Sequence, residues 1–208
     1  SMERILEADY QAEALAVHDG GSAFVYGAVR GYSAFAKNDL TAAERHLRES
    51  IKARADFAPT QVALGQLLLQ KAQPQEALVA FERALALDAK NPAALGNLGR
   101  LLLEGGKAER AVELLRQAVA IKDLAPTRLN LAAALLATEQ VKEAGEHLAR
   151  AVELEPQNGD AQRRLGDYLL SLGDSVGAER AFTLASKLGA EPWATFGLAQ
   201  LRARAKDY

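Results

Sequence analysis

A repeat of 34 residues is the feature that most restricts how this chain can fold. An alanine recurs at intervals of 34, 34, 33 and 34 residues, at Ala43, Ala77, Ala111, Ala144 and Ala178. A second series of small residues lies upstream with nearly the same period, at Gly31, Gly65, Gly99, Ala132, Gly166 and Gly197. Two independent series with one period indicate a repeat architecture, in which each unit buries its apolar face against its neighbours.

Each unit is predicted to contain two helices. The first carries a Leu-Gly pair followed by an apolar residue, as in LGQLL (64–68), and the second carries Ala-x3-bulky-x2-Ala, as in ALVAFERA (77–84). Residues at these spacings lie on one face of a helix. Ala and Leu, which favour helices, supply 43 and 33 of the 208 residues, whereas Val, Ile and Thr together supply 19. The composition therefore also predicts an all-α protein.

The pattern resembles the tetratricopeptide repeat, a 34-residue helix–turn–helix unit with the motif W-x2-L-G-x2-Y…A-x3-F…A…P. The resemblance implies an all-α, right-handed superhelical solenoid that covers residues 24 to about 204. It places five repeats, at 24–57, 58–91, 92–124, 125–158 and 159–189. Residues 190–208 then form a C-terminal capping helix, which opens like a sixth repeat and is expected to turn Trp193, Phe196 and Leu201 inward.

Residues 1–23 precede the array and do not fit the repeat pattern. Residues 3–18 are predicted to form a helix, which the glycine-rich turn at 20–22 separates from the first repeat. This helix is open to three interpretations: a cap on the first unit, a degenerate repeat, or an arm that pairs with another chain. Ser1-Met2 resembles an expression-tag remnant, so a natural amino terminus that carries a targeting signal stays an open alternative.

Composition and motif content argue against several functions. The chain has no cysteine, only three histidines and a net charge of −2, which argues against metal centres and against general nucleic-acid binding. No apolar run approaches the ~20 residues of a membrane span, and a cytoplasmic location is favoured. His18 lies near a helix end, while His46 and His147 are expected on outer, solvated positions without a catalytic partner. No enzyme activity, cofactor or metal site is predicted.

The resemblance also locates a binding groove, because members of the family hold extended peptides on the concave face lined by the first helices. Asn97 and Asn130 occupy the same repeat position, directly before the Leu-Gly or Leu-Ala pair, and an amide there can bond to both groups of a peptide backbone. Arginines on the same face are expected to attract an acidic ligand, with Asp167 neutralising part of their charge. The implied peptide-binding residues are Asn97, Asn130, Arg100, Arg164, Arg163, Gln66 and Tyr32.

These observations predict a non-catalytic module that binds an extended segment of a partner protein on its concave face. Two alternatives stay open at the level of sequence. In the first alternative, the chain is the regulatory or substrate-recruiting region of a larger enzyme. In the second, it is a self-assembling scaffold that forms homo-oligomers through its N-terminal helix or the ends of the array.

Overall fold

The computed structural model describes residues 23–204 of the chain, with the side chains of residues 27–203. These residues form eleven α-helices and no β-strand. The helices are α1 (Ala23–Ala36), α2 (Leu40–Ala53), α3 (Ala58–Gln70), α4 (Pro74–Leu87), α5 (Pro92–Glu104), α6 (Ala108–Ile121), α7 (Ala125–Ala137), α8 (Val141–Leu154), α9 (Gly159–Ser171), α10 (Ser175–Lys187) and α11 (Trp193–Arg204). The predicted helix at 3–18, the turn that follows it and His18 lie outside the described residues.

The helices divide between two compact units, the first ending at Leu101 and the second beginning at Leu102, within α5. In the first unit α1 packs on α2, α2 on α3, and α3 on α4. In the second unit each helix from α6 to α10 packs on the next one along the chain, and α9 also contacts α7 and α11. The predicted all-α fold of paired, consecutively packed helices is confirmed.

The two residue series of the repeat form the closest helix contacts. The five alanines of the first series are fully buried. A Cβ atom added at Gly65 would lie 2.7 Å from ring atoms of Phe81. One added at Gly166 would lie 2.7 Å from ring atoms of Phe182, and one at Gly197 2.5 Å from the same ring. The absence of a side chain therefore lets the first helices approach the bulky residue of the second helices.

Local signals explain where several helices begin. The Asp39 carboxylate accepts a hydrogen bond from the backbone N–H of Ala42, so that it caps α2. Asn158 caps α9 and Asp174 caps α10 in the same way. Proline lies in the first turn of α3, α4 and α7, where a backbone N–H has no partner within the helix and its absence costs no hydrogen bond.

The orientation of α11 differs from the prediction. Leu201 is buried as expected, but Trp193 is 66% exposed and Phe196 is 60% exposed. Instead, α11 packs through Ala194, which is fully buried, and through Gly197, whose Cα approaches Phe182 of α10. The prediction was wrong because the Trp and Leu positions of the repeat motif face a second helix, and α11 has none following it in the described residues.

Candidate functional site

A cleft of about 250 Å³ lies in the second unit, between the first helices of two predicted repeats. Helices α7 and α9 form its walls, and Leu148 of α8 contributes to its floor. Its lining residues are Leu129, Ala133, Leu136, Leu148, Arg164, Asp167, Tyr168 and Ser171. The apolar residues come from α7 and α8 and the polar ones from α9, so the cleft has an apolar side that faces a polar one.

Two of the sequence-predicted arginines belong to a charge cluster on α9. The Nε of Arg164 donates to Asp160 over 2.7 Å. Arg163 donates to Asp160 over 2.8 Å and to Asp167 over 2.6 Å. The local carboxylates therefore neutralise more of the arginine charge than the sequence analysis anticipated. Asp160 had not been singled out, although its spacing of three and four residues from the arginines is the signal for such pairs.

The two carboxylates of the cluster respond differently to their surroundings. For Asp160, burial opposes ionisation, but hydrogen bonds from Arg163 and the charge of Arg164 prevail and lower its pKa. For Asp167, burial and the charge of Asp160 raise the pKa against the attraction of Arg163. Asp160 accepts hydrogen bonds on both oxygens and Asp167 on one, so Asp167, which lines the cleft, has a second carboxylate oxygen that can accept from a ligand.

Asn130 lies on α7 beside the cleft, directly after the lining residue Leu129. It is half-buried, and its amide has no hydrogen-bond partner among residues 23–204. On the other wall, Tyr168 packs against α8 at Gly145, where an added Cβ would clash with the tyrosine hydroxyl. Gly145 therefore makes room for the tyrosine that closes one side of the cleft.

The other sequence-predicted contacts belong to the first unit. The hydroxyl of Tyr32 donates to the carbonyl of Pro59 over 2.9 Å, and burial raises the pKa of this phenol. Asn97 donates one amide hydrogen to the carbonyl of Ala93, one helical turn earlier, over 2.9 Å. Gln66 is exposed on α3, and Arg100 is half-buried on α5. Asn97 thus has donor capacity left, whereas the Tyr32 hydroxyl already donates within the fold.

The two described histidines are more buried than predicted. The side chain of His46 is 16% exposed and that of His147 is 15% exposed. Arg128 of α7 donates to Nδ1 of His147 over 2.8 Å, so Nδ1 must be unprotonated. Burial, together with the charge of Arg128, lowers the pKa of His147 although Glu143 opposes the shift. Their spacing within the second helices predicted solvated positions, because local spacing does not show which first helix covers them.

Among residues 23–204, no group of three or more His, Asp or Glu side chains is placed to hold a metal ion. None of the eleven described helices combines the length and the hydropathy that crossing a bilayer requires.

Comparison with known families agrees with this architecture. Two family models, both described as tetratricopeptide repeat, match residues 68–135 and 129–192. Together they cover more than half of the chain, which therefore belongs to the tetratricopeptide repeat family. The resemblance drawn from the repeat motif is confirmed. No protein in a search of curated sequences matches the chain.

Several solved structures share the fold at low sequence identity. PilF of Pseudomonas aeruginosa is 20% identical, with a TM-score of 0.77 over 89% of this chain and 85% of PilF. YrrB, described as a TPR protein with an unusual peptide-binding site, is 18% identical, with a TM-score of 0.69 over 94% of this chain and 97% of YrrB. MamA of Desulfovibrio magneticus is 22% identical, with a TM-score of 0.70 over 81% of this chain and 96% of the MamA chain.

Proposed function

We propose that this chain is a non-catalytic interaction module that binds an extended segment of a partner protein along the first helices of its repeats. The observation that carries the proposal is the cleft between α7 and α9, with one apolar and one polar side. Its volume of about 250 Å³ is below the ~300–1,000 Å³ typical of small-molecule sites, so it suits a single peptide side chain better than a cofactor. The peptide-binding site described for YrrB supports the same class of ligand.

The polar groups beside the cleft suit a peptide backbone. Asn130 offers an unpaired carbonyl and an unpaired amino group, and Arg164 uses only its Nε on Asp160 within the described residues. The terminal nitrogens of Arg164 therefore donate to a peptide carbonyl, while Asp167 accepts from a peptide N–H. An apolar peptide side chain then lies against Ala133 and its leucine neighbours. Because the local carboxylates balance the arginines, we expect weaker preference for acidic peptides than the sequence implied.

A cleft-filling variant tests this proposal. Peptides are selected from a random library displayed on phage against the wild-type chain, and their affinities are measured by fluorescence anisotropy. Ala133→Trp should weaken binding by tenfold or more, because the indole occupies the space of the peptide side chain. Ala149→Trp adds the same group at an exposed position of α8 outside the cleft, and should leave affinity unchanged. Equal binding by both variants, with equal helicity, would exclude the cleft.

The asparagines are tested separately, since each lies in a different unit. Asn97→Ala and Asn130→Ala should each remove a hydrogen bond worth about 0.5–1.5 kcal/mol, which is a two- to tenfold loss of affinity. The double variant should lose roughly tenfold or more while the melting temperature stays nearly constant. Arg100→Ala should change the salt dependence of binding. Unaltered affinity in the double variant would show that neither amide contacts the ligand.

A further inference from the structure

The cleft between α7 and α9 has two different ends. Its lining residues on α7 run from Leu129 to Leu136, and those on α9 run from Arg164 to Ser171. In each row the first and last residues are seven positions apart, so the cleft extends about 10 Å along the helices. Short turns join α8 to α7 and to α9, and α8 packs on both helices. The two walls therefore run in the same direction, and the carboxyl-terminal ends of both lie at the same end of the cleft.

The polar groups of the cleft are arranged unevenly between these ends. At the amino-terminal end, the Nε of Arg164 donates over 2.7 Å to Asp160, which lies one turn earlier on α9. This bond holds the guanidinium away from the carboxyl-terminal end. Towards that end, Asp167 accepts from Arg163 on one oxygen only. Ser171 donates its hydroxyl hydrogen to a backbone carbonyl of its own helix over 2.6 Å, so its oxygen can still accept. Two oxygen atoms are thus available there to accept from a ligand.

The carboxyl-terminal end of the cleft also favours positive charge. Helix α7 ends at Ala137 and α9 ends at Ser171, and neither of these described helices has a basic residue in its last turn. The partial negative charges of two helix ends therefore lie together and attract a cation. Burial raises the pKa of Asp167 although Arg163 bonds to it, so the pairing within α9 compensates only part of the cost of ionising this carboxyl group.

We propose, on the basis of the function proposed above, that the cleft binds a lysine side chain of the partner segment and holds its ammonium group at the carboxyl-terminal end. The apolar part that lies against Ala133 and the leucines is then the aliphatic stem of this lysine. Its ammonium group donates to Asp167 and Ser171. A purely apolar side chain would cover these oxygens without bonding to them, which costs free energy. The compact ammonium needs few acceptors, whereas an arginine spreads its donors over a wide planar fork.

Two phage-displayed libraries of short peptides, which differ only in a central lysine or leucine, probe this selectivity. Selection against the wild-type chain should recover peptides from the lysine library preferentially. The recovered peptides are then synthesised with the central lysine either free or acetylated, because acetylation keeps the stem and removes the charge. Acetylation should weaken binding in fluorescence anisotropy by about tenfold or more, and high salt should reduce this difference.

Matched variants of the chain locate the ammonium group. Asp167→Asn should weaken binding of the free-lysine peptide by about tenfold and leave binding of the acetylated peptide nearly unchanged, because the two charges are coupled. Glu179→Gln removes a carboxylate from an exposed position of α10 outside the cleft, and should bind both peptides like the wild type. If Asp167→Asn only disturbed the fold of the cleft, it would weaken both peptides equally.

The outcomes separate this proposal from the proposed function. If Ala133→Trp blocks the peptides but free, acetylated and leucine peptides bind equally, the cleft binds an apolar side chain and the lysine proposal is overturned. Equal weakening of the free and acetylated peptides by Asp167→Asn would overturn it as well. Recovery of no peptide from either library, or binding that Ala133→Trp leaves unchanged, would overturn both proposals, since the cleft is then not the peptide site.

Discussion

The packing of Phe182 between two glycines makes the effect of Gly166→Ala a sensitive test of the fold. Glycine inside a helix is about 1 kcal/mol less favourable than alanine, so helix propensity alone predicts that Gly166→Ala stabilises the protein. The added Cβ, however, would lie 2.7 Å from two ring carbons of Phe182, which is fully buried. The two effects therefore have opposite signs, and the structure must decide between them.

The ring has little room to move away from the new methyl group, because Gly197 of α11 approaches the tip of the same ring. A Cβ at Gly197 would lie 2.5 Å from the same ring, so both helices already touch Phe182 as closely as glycine allows. Overpacking of a tight core costs about 1–3 kcal/mol. We expect the packing cost to exceed the gain in helix propensity, so that Gly166→Ala destabilises the protein by up to about 2 kcal/mol.

Urea denaturation followed by far-ultraviolet circular dichroism measures this difference. The control is the same substitution in a Phe182→Leu background, where the missing ring carbons leave room for the methyl group. There, Gly166→Ala should be neutral or stabilising, so that the double-mutant cycle shows a favourable coupling. If Gly166→Ala raises the urea midpoint in the wild-type background, the close packing of α9 on Phe182 is refuted.

Three other predictions concern the core, the terminal helix and pH. Ala111→Phe and Ala144→Phe should each lower the melting temperature, since both alanines are fully buried and overpacking costs about 1–3 kcal/mol; unchanged melting of both variants would contradict their place in the helix interface. Deleting 190–208 should cause aggregation, measured by light scattering, because it uncovers the aromatic ring on which α11 packs. Since the pKa of His147 is lowered in the folded state, the unfolded chain binds this proton first as the pH falls below the usual value of 6.5. The stability that neutral His147 contributes is therefore complete above this pH, and it is lost as the pH falls towards the lower pKa of the folded state. Over this pH range the urea midpoint should fall less in His147→Gln than in the wild type.

Part of the candidate site was readable from sequence and part was not. The repeat position that Asn97 and Asn130 share predicted a binding surface on the first helices, and Asn130 lies beside the cleft. The spacing of Asp160 from Arg163 and Arg164 is the one that predicts the ion pairs of α9. The cleft itself was missed, because it is formed by side chains that the packing of three successive helices brings together. Only packing brings Leu148 of α8 next to residues of α7 and α9.

The sequence alone determined the helices, their pairing and the face on which they meet. Residues three and four apart share a helix face whatever surrounds the helix, so the alanine and glycine series marked the close contacts correctly. Burial of a side chain depends instead on which element covers it. Trp193 and Phe196 have the motif of buried residues and are exposed, and His147 has the spacing of an outer residue and is covered by Arg128 of α7. Those outcomes required the tertiary structure, because they depend on neighbours that local spacing does not specify.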